Sequence, residues 1–180
     1  MNNMIKIREK LKDNRAFTLA ETLIAILILL MVTSVVAAGM PAAISAYQKV
    51  ERASNAELLL STTISTLRNE LGVSKDQEVN SGNTAITYYN ESNNMMSRIY
   101  MSDGKIMYKR NAGSDLSVEG EKEGQPLISD ALRTKSKLEV TYDSVSINSK
   151  KTLVEFDGLK VKYGSELVTS RSKVYIRIIS

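Results

Sequence analysis

The 180-residue chain contains no Cys, no His and no Trp. These absences remove disulfides, thiol and imidazole nucleophiles, histidine general bases, Cys/His zinc sites and haem ligation by His or Cys. Most enzyme classes are poorly served by what is left, and neither an enzymatic activity nor a cofactor is expected. Proline is scarce, with 2 in the chain, and so is phenylalanine, with 2. The charge surplus is also small: 24 Lys and Arg against 20 Asp and Glu give +4. That balance implies no nucleic-acid partner without a local cluster. At 43% hydrophobic and 24% charged residues the composition is globular, and the length suits one domain with an appendage.

The hydrophobicity is unevenly spread. Positions 22–48 carry no formal charge, and the run from Leu23 to Val32 is apolar on every helical face. Such a run belongs in lipid or in a large core. As a helix, residues 17–39 cover roughly 34 Å at about 1.5 Å per residue, enough for a hydrocarbon layer about 30 Å thick. Ahead of it stand Lys6, Arg8, Lys10, Lys12 and Arg15 against Glu9 and Asp13. The positive-inside rule therefore predicts a single pass through the cytoplasmic membrane, with the N-terminus inside and residues from about 42 exported. A signal anchor and a secretory signal peptide cut near Ala37, Ala38 and Gly39 both fit this pattern. Neither has a use for Glu21, a carboxylate inside the apolar run, whose insertion costs about 2.5–3.5 kcal/mol at mid-bilayer.

The stretch Arg15-Ala16-Phe17-Thr18-Leu19-Ala20-Glu21-Thr22-Leu23-Ile24 resembles the processing site of type IV pilins and type II secretion pseudopilins, and the likeness extends over roughly residues 1–72. The resemblance implies cleavage between Ala16 and Phe17 by a prepilin peptidase, which also acts as methyltransferase and N-methylates Phe17. It implies that Glu21 pairs with the terminal amine of a neighbouring subunit during assembly on platform proteins. The sequence departs from the family at Ala16, where Gly is usual, at Ala20, where a larger aliphatic is common, and at Pro41, a few residues later than the family's kinking proline. The fold implied is α+β and pilin-like: a long N-terminal helix, half transmembrane and half amphipathic, packed on an antiparallel sheet. The divisions are a leader at 1–16, a transmembrane or filament-core helix at 17–40, an amphipathic half at 41–72 and a β-rich exported domain at 73–180. The function implied is that of a filament subunit of a type IV pilus, a type II secretion pseudopilus or a competence pseudopilus. Its destination is the cell surface or an extracellular filament, and the lack of Cys suits a Gram-positive surface. The alternatives are a membrane-anchored exported binding domain or enzyme, and a DNA-binding competence pilin.

Beyond Pro41, residues Ile44, Tyr47, Val50, Ala53, Ala56, Leu60, Ile64, Leu67 and Leu71 recur every three or four positions, which predicts an amphipathic helix packed by this stripe and stopped at Gly72. Pro41 predicts a kink or local melting near Gly39-Met40-Pro41. Residues 72–82 are polar and read as a connector. Strands are predicted at 84–89, 95–101 and 105–110, the last two joined by an Asp103-Gly104 hairpin turn. A long acidic loop follows at 111–136. Leu138, Val140 and Tyr142 alternate, and Val145 and Ile147 fall out of phase, which predicts a bulge or bend near Asp143-Ser144. Val154, Phe156, Leu159, Val161 and Tyr163 form a further β block, and Val174, Ile176 and Ile178 a closing strand. No internal repeat is evident.

Little else carries chemistry. The acidic loop lacks the ligand series of an EF-hand, so solvated charge explains it better than Ca²⁺, and no metal site is assigned. Residues 133–180 hold ten cations and five anions, including Lys160, Lys162, Arg171 and Lys173. Lysines alternating with Leu159, Val161 and Tyr163 are what a half-solvated strand requires, and DNA contact is the lesser account. No nucleotide-binding or nucleophile-elbow motif is present.

Overall fold

The computed structural model describes residues 19–111, 124–129 and 137–179. Among these, one long helix, α1 (Leu19–Gly72), precedes nine strands: β1 (Ser74–Val79), β2 (Ala85–Asn90), β3 (Met95–Ser102), β4 (Lys105–Arg110), β5 (Gln125–Pro126), β6 (Leu138–Thr141), β7 (Ser144–Ile147), β8 (Leu153–Tyr163) and β9 (Glu166–Arg177). The fold is α+β, with the long helix packed on antiparallel sheets. By compactness the chain divides into Met1–Gln48 and Lys49–Ser180.

Within residues 49–180 the core is built on the last third of α1. Ala56, Leu59, Leu60, Thr63, Leu67 and Leu71 are buried at spacings of one, three and four, so they line a single helical face. Full burial of each leucine stabilises the domain by about 1.5–3 kcal/mol. Thr63 is tolerated there because its hydroxyl donates to the Leu59 carbonyl at 2.8 Å. The apolar stripe read from the sequence is therefore packed only in part. Ile44, Tyr47 and Val50 are exposed at 51%, 70% and 69%, and burial on the helix begins at Ala56. The helical periodicity continues upstream of that point, where the same stripe is exposed.

The helix ends at Gly72 without a left-handed residue there. Its terminal carbonyls are met from elsewhere: Ser74 Oγ donates to Leu71 O at 2.7 Å, and Ile179 N to Gly72 O at 2.7 Å. The polar stretch after it is an edge strand and not a connector. β1 pairs with β2 and slips register between Lys75 and Glu78, where Asp76 has φ 50°. The bulge turns Gln77 inward, and Gln77 Nε2 donates to Ser74 O at 2.6 Å. Polarity concealed this strand because a bulged edge needs few apolar side chains.

The first sheet runs β1-β2-β3-β4-β5, every neighbour antiparallel. Asp103 (φ 49°) and Gly104 (φ 69°) make the two-residue turn between β3 and β4, as the Asp-Gly pair predicts. In the second sheet β8 is central, flanked by β6 and β7 on one edge and by β9 on the other. β9 begins at Glu166, so the closing strand is longer than the alternation of Val174, Ile176 and Ile178 alone indicates. Tyr142 joins the sheets by donating its hydroxyl to Thr84 O at 2.6 Å, and Val145 N donates to Asn83 O at 2.8 Å.

The bend expected near Asp143 exists, and it needs no inserted residue. Thr141 faces Lys160 and Ser144 faces Asp157, an even count on both strands. Both strands nevertheless change phase: Tyr142 and Val145 are buried on one, Phe156 and Leu159 on the other. Gly158, at φ 63°, makes the crease. A Cβ there would lie 2.0 Å from Asp143 Oδ2, whose carboxylate Lys160 Nζ grips at 2.8 and 2.6 Å.

A loop type recurs that the sequence does not announce. Asn80 Oδ1 accepts from Thr84 N (2.8 Å) and Ala85 N (2.9 Å), and its Nδ2 donates to Thr84 Oγ1 (3.0 Å). Asn148 does the same with Thr152 N, Leu153 N and Thr152 Oγ1 at 2.8, 3.0 and 3.0 Å. In each loop the residue before the threonine, Asn83 or Lys151, is left-handed. The shared pattern Asn-Ser-x-x-Thr is short enough to pass for ordinary polar loop composition.

Gly158→Ala is expected to destabilise the protein by about 2 kcal/mol or more, combining left-handed strain with displacement of Asp143. Gly164→Ala, at φ 60° with open space around the position, should lose only about 1–2 kcal/mol. Chemical denaturation of both variants measures the difference, and equal losses would show that the Asp143 contact is relaxed without penalty.

Candidate membrane and assembly helix

Residues 19–48 form a helix with every residue exposed within the chain. Leu23, Leu27 and Leu30 are 59%, 59% and 64% exposed, the level of a bare helix with no tertiary cover. Among the described residues this is one helix long and apolar enough to cross a membrane. Several of its hydroxyls are satisfied internally. Thr22 Oγ1 donates to Leu19 O at 2.9 Å, Thr33 Oγ1 to Leu29 O at 2.7 Å and Ser34 Oγ to Met31 O at 2.7 Å. Side chains that return their proton to the preceding turn do not strand a polar group in lipid.

Glu21 lies in the first described turn and is exposed. Ala16 and Phe17 lie outside the described residues. Pro41 sits inside α1, and helical geometry continues through Gly39, Met40 and Pro41 without the local melting that a proline there predicts. The ring removes one donor, to the carbonyl of Ala37, and the flanking alanines and methionine are good helix formers that carry the helix across the gap. A Cβ at Gly39 would meet nothing within 4 Å, so packing within the chain does not require its small size.

Comparison of the chain with protein-family models, curated proteins and solved structures returns no match.

In residues 49–180 three of the basic side chains singled out from the sequence are paired within the chain. Lys160 pairs with Asp143, Arg171 with Glu57 at 3.2 Å, and Lys173 with Glu155 at 2.5 Å and Asp157 at 3.7 Å. The hydrogen bond to Glu155 and the charge of Asp157 hold the Lys173 ammonium above its ordinary pKa. Lys162 stands opposite Glu139 in the ladder. Cations committed in this way release fewer counterions to a polyanion than their number suggests.

A second polar group lies under the first sheet. Glu70 Oε2 accepts from Tyr88 Oη at 3.2 Å and from Asn90 Nδ2 at 3.0 Å. Burial, followed by the nearby Glu70 charge, raises the Tyr88 phenol far above its ordinary pKa, so it stays a donor at all physiological pH. Beside it a recess of about 630 Å³ is lined by Thr66, Glu70, Tyr108, Arg110, Gln125 and others. Glu70 is already engaged by two donors there, and the group ties α1 to β2. On β3, buried Arg98 donates from Nε to Thr87 Oγ1 at 2.9 Å. Among the described residues no cluster of three or more carboxylates could hold a metal ion. Most of the acidic loop that raised the calcium question, 112–123 and 130–136, lies outside them.

A fragment of residues 49–180 is a compact unit that retains every buried side chain of the core. It should be soluble without detergent and unfold in one cooperative transition, as read by circular dichroism on heating. A broad, non-cooperative melt would show that the upstream helix contributes to the fold.

Proposed function

We propose that the chain is a structural subunit of a type IV pilus-like or pseudopilus filament, held in the cytoplasmic membrane by α1 before assembly. The observation that carries this reading is the division of labour along one helix. Residues 19–48 are apolar and uncovered, and residues 56–71 of the same helix are the core of a sheet-bearing domain. An anchor that only tethers needs neither continuity with the domain core nor an acidic side chain in its apolar run. Glu21 supports assembly over anchoring: opposite charges 4 Å apart at an effective dielectric near 20 attract by about 4 kcal/mol before desolvation. A carboxylate and an N-terminal amine that are each costly to bury are complementary when buried together. In this reading a prepilin peptidase cuts between Ala16 and Phe17 and methylates Phe17. The subunits then pack through the apolar half of α1, leaving the sheets on the filament's surface outside the membrane.

Co-expression with a prepilin peptidase should shorten the chain by the leader 1–16 and leave N-methyl-Phe17, which mass spectrometry of the N-terminal peptide reads directly. A mature N-terminus near Ala38 identifies a secretory signal peptide, and retention of residues 1–16 in the membrane-bound form identifies a plain anchor.

Glu21→Ala should insert into membranes at least as well as wild type, because a costly carboxylate leaves the apolar run. Cleavage after Ala16 should persist. Incorporation into sheared filaments, compared at equal membrane levels, should fall by about tenfold or more, since the Phe17 amine would be buried without its counter-charge. Equal incorporation would remove the assembly role of this residue.

A further inference from the structure

Over residues 50–57 of α1 the one buried side chain is the small Ala56, and the other contacts to the sheets are polar. Upstream of Ala56 no described helix residue is buried: Val50 is 69% exposed, and Glu51, Ala53 and Ser54 are also exposed. Yet three contacts reach this stretch from the β8–β9 hairpin. Glu57 accepts from Thr169 Oγ1 on Oε1 at 2.5 Å and from the Arg171 guanidinium on Oε2 at 3.2 Å. The Arg52 guanidinium lies over the Tyr163 ring, 4.3 Å from its centroid. These residues are more than a hundred positions apart in sequence, so the contacts are tertiary and not products of local helix geometry. The carboxylate is gripped on both oxygens, but the ion pair is half in water, with 51% of the Glu57 and 53% of the Arg171 side chain exposed.

The crease at Gly158 makes this arrangement available. Arg171 stands opposite buried Leu159, and Thr169 opposite buried Val161, so both project toward the core side of the sheet and reach α1. Lys173, two residues on, stands opposite Asp157 and projects outward to Glu155 and Asp157. Without the phase change Arg171 would share the face of Lys173 and could not meet Glu57.

We propose that Glu57, Thr169 and Arg171, together with Arg52 on Tyr163, form a salt-sensitive strap that fixes residues 52–57 of α1 to the β8–β9 hairpin, and that opening it frees this stretch while residues 59–71 stay locked. Leu59, Leu60, Leu67 and Leu71 hold the helix by burial, which salt does not weaken. The strap holds it by partly exposed charge, which salt screens, the Debye length falling from about 10 Å at 0.1 M to about 3 Å at 1 M. The strap thus sets how much of α1 moves with the domain and how much is free to adjust to whatever covers the helix upstream. It stands on contacts inside residues 49–180 and does not depend on the filament reading.

The absence of Cys makes site-specific labelling direct. In the full chain in detergent micelles, spin labels at Ser54→Cys and Ser165→Cys report the strapped distance, and labels at Ser65→Cys and Ser146→Cys report the locked part of the helix. Pulsed dipolar spectroscopy should give a narrow Ser54–Ser165 distribution at low salt. Glu57→Gln should raise a displaced population by about two- to fivefold, the range of a partly exposed ion pair. Raising wild type to about 1 M salt should reproduce that change, and salt should add little in Glu57→Gln. The Ser65–Ser146 distribution should stay the same throughout, which also reports that the variant is folded. Arg171→Gln should behave as Glu57→Gln does. An unchanged Ser54–Ser165 distribution in both variants would overturn the strap, as would equal broadening of both label pairs.

Discussion

The packing of Ala56, Leu59, Leu60, Thr63, Leu67 and Leu71 beneath two sheets is the contact on which the domain depends. Both sheets place buried residues in the same cluster, Ile86, Tyr88 and Ile99 from one, Phe156, Leu159 and Ile176 from the other. A strand from either sheet has one apolar face to hide, and the helix is the shared surface on which both can hide it. The chain end adds to the same anchor, since the last strand leads into Ile179, which caps the Gly72 carbonyl. A helix buried so deeply at one end and bare at the other cannot be stable on one solvent's terms. Its upstream half, residues 19–48, is exposed throughout and apolar enough to cross a membrane.

Much of this was legible in the sequence because the signals are local. A charge-free run announces an uncovered helix whatever the tertiary structure, and Asp103-Gly104 dictates its own hairpin through two left-handed residues. The 3.6-residue period of the amphipathic half was also legible, but not the point at which packing starts. Tyr47 and Val50 have the spacing of core residues, yet they are 70% and 69% exposed. β1 was hidden for a related reason: Ser74, Lys75, Asp76 and Gln77 are poor strand formers, recruited by the free edge of β2 and a bulge at Asp76. In the candidate helix, Glu21 could be singled out from sequence alone as a carboxylate inside an apolar run. Glu57 could not, because its partners lie 112 and 114 residues away and nothing in its neighbourhood distinguishes it from any exposed helical glutamate.

The crease in the second sheet shows how a single glycine changes what a long strand can do. β8 spans 11 residues, and a regular strand of that length presents one face throughout. Gly158 lets the strand exchange faces midway, and the change passes to both neighbours without an inserted residue. Phase in the hydrophobic pattern of β6 and β7 recorded this exchange, and so the bend could be expected at Asp143. Its partner on β8 could not be assigned without the register. The same exchange divides the basic residues of β9, sending Arg171 toward the helix and Lys173 toward the carboxylates of β8.

Several charged and polar side chains of the folded domain are engaged inside it. Lys160, Arg171 and Lys173 each meet a carboxylate of the same chain, Glu70 takes two donors, and Asn80 and Asn148 spend their amides on their own loops. Surface pairs of this kind add little stability, about 0–1 kcal/mol each, but they lower the attraction a surface exerts on charged partners. The apolar half of α1 is the reverse case: its hydroxyls bond within the helix and its leucines are uncovered, a surface with little to offer water and much to offer another apolar body. At about 25 cal/mol per Å² of apolar area removed from water, covering even part of that helix outweighs any polar contact the described domain surface presents. The large uncovered apolar surface among the described residues therefore lies along residues 19–48.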